Sequence, residues 1–226
     1  MRKFNLLQTP EKLFRDTTLR SQNKMQNRLQ ALKFGQEYFD GTREQGYGGY
    51  FYDGRWVSVA ERLIKRYHLS AESNFLDVGC AKGFLMHDLA VSCPGINVRG
   101  LDVSVYAREK AWGKMRNQID IGSCVSLPYP DNYFDACVAI NSIHNVSEDE
   151  CVTALRELTR VTKNKKNIFV QVDAFSNNAE LQLFEQWVLT AQTYKKPSGW
   201  IKLFKEAGYQ GDYFWTILGF NNAMTQ

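Results

Sequence analysis

Apolar and polar positions run in blocks along this chain, and the sharpest block is residues 75–84, FLDVGCAKGF. An apolar run of Phe75, Leu76 and Val78 carries a single acid, Asp77. It breaks at Gly79, Cys80, Ala81, Lys82 and Gly83, and a new apolar stretch opens at Phe84. The pattern predicts a buried parallel strand, a tight turn of small residues and the first turn of a helix. Such a turn lets backbone approach a ligand closely, because no side chain intervenes. The helix start adds unpaired N–H groups aimed at the same place.

The rest of the chain alternates in the same way. Val59, Leu63, Ile64 and Tyr67 predict an amphipathic helix over 57–69. A helix over 84–92 is stopped by Pro94-Gly95, and a strand over 96–102 ends on Asp102. Ser104 caps a helix predicted over 105–116, followed by strands at 118–121 and 134–141. Ser147 and Glu150 form an S-x-x-E box ahead of a helix over 148–161. A strand at 167–175, helices at 178–193 and 199–207 and a last strand at 212–220 complete the plan. Alternating strands and helices predict an α/β fold: a doubly wound, mostly parallel Rossmann-like sheet with helices on both faces.

Upstream, residues 9–34 predict a polar helix with a patchy apolar face, begun by Thr9-Pro10-Glu11 and ended at Gly35. Residues 38–56 place five glycines among seven aromatics, the composition of a lid beside a ligand site. Tyr47, Tyr50 and Arg55 are its candidate substrate contacts, Arg55 because a guanidinium suits phosphate or carboxylate. The chain thus divides into an N-terminal helical and lid extension, 1–56, and a main domain, 57–226. The extension either covers the acceptor pocket or pairs with a second copy in a homodimer.

Glycine spacing narrows the ligand. Gly79, Ala81 and Gly83 are separated by single residues, unlike the G-x-G-x-x-G dinucleotide fingerprint. Phe84 stands where a phosphate P-loop needs Lys-Ser/Thr. The stretch resembles motif I of class I S-adenosylmethionine-dependent methyltransferases, with Ala81 in place of the middle glycine. Asp102, 25 residues beyond Asp77, can accept both hydroxyls of a ribose and resembles the family's ribose-binding acid. Leu127, Pro128, Tyr129, Asp131, Phe134 and Asp135 resemble a further family stretch, in which Ser123 stands where an acid often meets adenine. The resemblance covers residues 57–220. It implies S-adenosylmethionine as cofactor, held by Asp77, Gly79, Cys80, Ala81, Lys82, Gly83, Phe84, Asp102, Val103, Ser104, Ser123, Cys124 and Asn141. It also implies six to seven strands, the last of them antiparallel. Pieces such as Asn-Ser-Ile-His-Asn and Lys-Glu-Ala-Gly-Tyr resemble bacterial methyltransferases of surface-polysaccharide gene clusters. That implies a sugar or nucleotide-linked hydroxyl as acceptor, with His144 as the candidate general base. A cofactor-binding protein that transfers no methyl group fits the same residues, as does an enzyme acting on protein or RNA.

Composition changes little. A net charge of +4 permits an anionic small molecule but lacks the dense basic stripe of nucleic-acid binders. Five scattered cysteines without a C-x-x-C pair point to reduced thiols and a cytoplasmic setting. No apolar run approaches membrane-spanning length, and no acidic cluster suggests a divalent metal.

Overall fold

The computed structural model describes residues 1–219. Its centre is one sheet of eight strands. In chain order these are β1 (Arg2–Lys3), β2 (Lys12–Phe14), β3 (Asn74–Val78), β4 (Asn97–Asp102), β5 (Ile119–Ile121), β6 (Ala136–Ile140), β7 (Ile168–Ala174) and β8 (Asp212–Gly219). The spatial order is β1-β8-β7-β6-β3-β4-β5, with β2 also on β8. Strand order reverses between β3 and β6, which places the crevice for a ligand at their carboxyl ends.

The helices are α1 (Thr18–Ser21), α2 (Lys24–Ala31), α3 (Gln36–Asp40), α4 (Val57–Tyr67), α5 (Phe84–Ser92), α6 (Val105–Glu109), α7 (Glu148–Val161), α8 (Asn178–Trp187) and α9 (Pro197–Glu206). Three of them, α6, α7 and α8, start on short polar side chains that cap them. Ser104 Oγ accepts the Ala107 N–H at 2.9 Å, and Asn177 Oδ1 accepts the Glu180 N–H at 2.9 Å. Glu150 Oε2 reaches back to the Ser147 N–H at 3.0 Å, the capping box read in the sequence.

Strand pleating splits the core into two layers. Leu76, Val78, Cys137, Ala139, Val170 and Val172 face α7 and α9. Phe75, Val138, Phe169 and Phe214 face α4 and α5. On this second face the next positions along are polar: Asp77 on β3, Gln171 and Asp173 on β7, Thr216 on β8. Asp173 is in register with Thr216. The apolar face therefore turns polar at the carboxyl ends, where the crevice lies.

Four expectations are corrected. The last strand is parallel to β7, not antiparallel: Val170 lies opposite Tyr213 and Val172 opposite Trp215. Its chain returns through α8 and α9 to the same end of the sheet, a crossover that yields parallel pairing. Phe220, included in that strand by the sequence, lies outside the described residues. Residues 9–34 are not one helix. Lys12–Phe14 pair with Ile217–Gly219, and Leu13 packs on the Phe184–Val188–Leu218 cluster. An unpaired β8 edge outweighs the weak helical pattern. The helix predicted over 105–116 ends at Glu109, because the Trp112 N–H donates to Lys82 O at 2.9 Å and draws the chain across the motif turn. The helix over 178–193 likewise stops at Trp187. Among the described residues no helix is long and apolar enough to cross a membrane.

Candidate active site

The turn after β3 carries the geometry that its composition requires. Gly79 has φ +82° and Ala81 φ +50°. A Cβ on Gly79 would overlap the Ser142 side chain, so only glycine fits there. Asp102, at the end of β4, sits over this turn. Its Oδ2 accepts the Ala81 N–H at 2.7 Å and its Oδ1 the Ser104 N–H at 2.8 Å. Burial raises this carboxyl, the two N–H groups pull it back, and the net position is above its ordinary value. Each oxygen keeps a lone pair for a further donor.

A first cavity, about 120 Å³, opens beside Asp102. Gly79, Ala81, Val103, Ser123, Cys124 and Asn141 line it from the sheet side. Phe34, Tyr38, Phe39 and Tyr47 close it from the N-terminal segment. Those faces suit a flat heterocycle, and Asp102 suits a ribose beside it. Phe34, Tyr38 and Phe39 were not foreseen as cofactor contacts. The signal for them was the aromatic-rich sequence around α3.

A second cavity, about 530 Å³, adjoins the first and shares Tyr38, Tyr47, Gly79, Ala81, Ile140 and Asn141 with it. Asp77, Cys80, Tyr50 and Arg55 line it, as do Gln171, Asp173 and Thr216, which the sequence did not single out as a group. Asp77 is 5% exposed, and burial together with Asp102 pushes its carboxyl up to about 7. No cation compensates it among the described residues, so a positively charged ligand group is the partner that this carboxylate lacks. Gln171 Oε1 is buried without a hydrogen-bond partner in the same chamber. These features fit the aminoacyl and nucleoside parts of S-adenosylmethionine. Among the described residues no group of three His, Cys, Asp or Glu side chains is arranged for a metal ion.

The remaining sequence candidates line neither cavity. Gly83 starts α5 at φ +72°, and Ser104 caps α6. Phe84 stacks on Tyr50 with ring centroids 4.8 Å apart. Lys82 is 5% exposed, and its Nζ donates to both oxygens of Asp40 at 2.7 Å and to Tyr50 O at 2.9 Å. Burial raises the Asp40 carboxyl, but Lys82 and Tyr106 outweigh it and hold it below its ordinary value. The lysine is thus a tie that fastens α3 and the aromatic segment to the motif turn. Lys82→Met is expected to cost about 1–2 kcal/mol in urea unfolding and to speed proteolytic cleavage within residues 47–54. Unchanged stability and cleavage would remove the tie.

His144 lies in a short 3₁₀ turn, Ile143–Asn145, behind the chamber wall. Its carbonyl accepts the N–H groups of Gln192 and Thr193 at 3.0 Å each. Its Nδ1 accepts the Asp173 N–H at 3.3 Å, and its Nε2 is 3.6 Å from Asp173 Oδ2. Burial lowers the imidazole below its ordinary value despite the nearby carboxylate. Asp173, not His144, faces the chamber; its Oδ1 accepts the Thr216 hydroxyl at 2.7 Å. Arg55 is held by Asp53, whose two oxygens take its Nε–H at 2.9 and 2.8 Å.

Comparison with known proteins finds relatives for the part of the chain that carries the motif turn and Asp102. Residues 76–170 match the profile of a methyltransferase domain family. Ajmaline N-methyltransferase of Rauvolfia serpentina is 29% identical over 150 residues, 57% of this chain and 51% of that one. Methyltransferase GfsG of Streptomyces halstedii is 34% identical over 113 residues, 46% of this chain and 39% of that one. The matches thus span about half or less of these curated relatives. The crystal structure of the [4+2]-cyclase SpnF superposes with a TM-score of 0.53 at 25% identity, over 67% of this chain and 56% of that one. On this footing residues 76–170 resemble a methyltransferase domain, and the sheet around them has the fold of the solved structure it superposes on.

Proposed function

We propose that the protein transfers a methyl group from S-adenosylmethionine to a small-molecule acceptor held in the larger cavity. The observation that carries this reading is that the two cavities lie side by side and share lining residues. Beside the Asp102 pocket, across Gly79, Ala81 and Asn141, lies a second chamber of about 530 Å³, within the usual range for small-molecule sites. When bound, the cofactor supplies a methyl group already activated on a sulfonium. The protein's task is therefore to orient the acceptor and exclude water. Asp102 and Asp77 hold the cofactor, and the aromatic segment tied down by Lys82 closes over it.

A hydroxyl acceptor must also lose a proton. The group on the chamber wall for that role is the Asp173 carboxylate, backed by a neutral His144 and fixed by Thr216. His144 acts through Asp173 in this reading. The acceptor class proposed is a hydroxyl of a sugar or of a nucleotide-linked or phosphorylated metabolite. The motif-level resemblance to polysaccharide-cluster enzymes supports it.

The test is S-adenosylhomocysteine formation from S-adenosylmethionine across nucleotide-linked sugars, sugar phosphates and aromatic acids. Turnover with one class, lost in Asp173→Asn, supports the reading. A second reading is a protein that binds the cofactor without moving its methyl group; the likeness in fold to a [4+2]-cyclase, an enzyme not described as a methyltransferase, favours keeping it. Tight cofactor binding with no S-adenosylhomocysteine formed from any acceptor would favour it.

A further inference from the structure

We propose that Arg15, Arg20 and Arg43 form an oxyanion subsite on the chamber wall, so that the acceptor carries a phosphate or carboxylate group. The inference rests on the acceptor chamber of the preceding section and names what that chamber selects.

The three guanidinium groups gather around one indole. Their carbons lie 3.7 Å (Arg20), 5.2 Å (Arg43) and 5.9 Å (Arg15) from the ring centroid of Trp187. All four residues line the larger cavity. Among the described residues none of the three arginines forms an ion pair. Arg55, Arg66 and Arg160 by contrast are matched, by Asp53, by Asp212, and by Glu157 and Asp131; what sets Arg15, Arg20 and Arg43 apart from other unpaired arginines is that they gather around one indole in one cavity. Asp16, the neighbouring acid in sequence, takes the Thr18 N–H at 2.9 Å.

Gathering like charges costs free energy that an indole face does not repay. Stacking attracts each cation but leaves the mutual repulsion in place. The repulsion registers on Arg20, lowered to about 10 by burial and then by Arg43, and on Arg43, lowered by burial and then by Arg15. An anion between them removes that cost and gains charge-assisted hydrogen bonds.

The three residues divide the work. Arg20 is 8% exposed and donates to the carbonyls of Arg43, Trp187 and Gly46, so it is a keel that sets the others and adds charge. Arg15 and Arg43 are exposed and each spends one N–H on a local carbonyl, Phe14 O and Tyr47 O. Their other N–H groups remain for a ligand.

The experiment is calorimetry on protein saturated with S-adenosylhomocysteine, titrated with phenyl phosphate, benzoate and benzyl alcohol. At least one anionic probe is expected to bind tenfold or more tightly than the alcohol. Arg15→Gln/Arg43→Gln is expected to lose that advantage while S-adenosylhomocysteine affinity stays within twofold. The single variants Arg15→Gln and Arg43→Lys guard against a folding defect, and each is expected to lose part of the advantage. Binding of phenyl phosphate alone assigns the subsite to phosphate, and binding of benzoate alone assigns it to carboxylate. Equal affinity for the alcohol, no binding of either anion, or insensitivity to the variants overturns the proposal. So does a loss of S-adenosylhomocysteine affinity in the variants, which would give the cluster to the cofactor. Failure of the wild type to bind S-adenosylhomocysteine at all would instead overturn the functional reading on which this one stands.

Discussion

Asp102→Ala is expected to weaken S-adenosylhomocysteine binding about a hundredfold, roughly 3 kcal/mol, if each ribose hydroxyl gives the carboxylate a charge-assisted bond of about 1.5 kcal/mol. The loss has two parts. The acceptor of the ribose hydroxyls disappears, and so does the fork that shapes the turn. Without the carboxylate, the N–H groups of Ala81 and Ser104 lose their partner at a buried site. Ala81 then has less reason to hold its left-handed conformation, φ +50°. Removing a desolvated charge that stands near Asp77 offsets part of this cost in the free protein. Calorimetry should therefore show the affinity loss, while the melting temperature moves by only a few degrees. A variant that binds within threefold of wild type would show that the ribose is held elsewhere.

The place of Asp102 over the turn was legible in the sequence, because an acid that ends the strand next to a glycine turn comes to lie beside it. The polar patch of the chamber was half legible. Gln171 and Asp173 alternate with Val170, Val172 and Ala174 along β7. The period of two already set them on one face, opposite their neighbours. Thr216 joins them only through the β7–β8 register, which no local pattern contains. His144 was visible as a residue, but its burial behind Asp173 depends on the chain that follows α8, whose Gln192 and Thr193 fasten it. Arg55 was the expected anion grip because a guanidinium in the lid suits phosphate or carboxylate. Two residues away, Asp53 neutralises it. The unpaired arginines come from the β2–α1 link, α1 and the loop after α3, and meet only around Trp187 of α8. Their grouping is a product of β2 joining the sheet, which is the element that the patchy apolar pattern of residues 9–34 concealed.

Asp77→Asn is expected to stabilise the ligand-free protein above pH 7 and to weaken cofactor binding there. Burial and Asp102 raise the carboxyl to about 7 in the folded protein, against 3.8 when it is unperturbed. Its folded value lies above its unfolded one. Its contribution to stability is therefore fully present below about 3.8 and is lost as pH rises through about 7. Wild type should then fall relative to Asp77→Asn by about 1–3 kcal/mol between pH 5 and pH 8, since the amide never ionises. Urea unfolding at both pH values measures the difference, which should shrink toward zero at the acid end. Binding has the opposite dependence. A cationic amino group in the chamber favours the ionised carboxylate, so wild type should take up S-adenosylhomocysteine with proton release at pH 6 and without it at pH 8.5. Calorimetry in buffers of different ionisation enthalpy reads that proton directly. Asp77→Asn should show no linked proton from this site and a tenfold or greater loss of affinity at pH 8. A variant no more stable than wild type at pH 8, with the same proton linkage, would mean that Asp77 is already ionised in the ligand-free fold and that another group supplies the compensating charge.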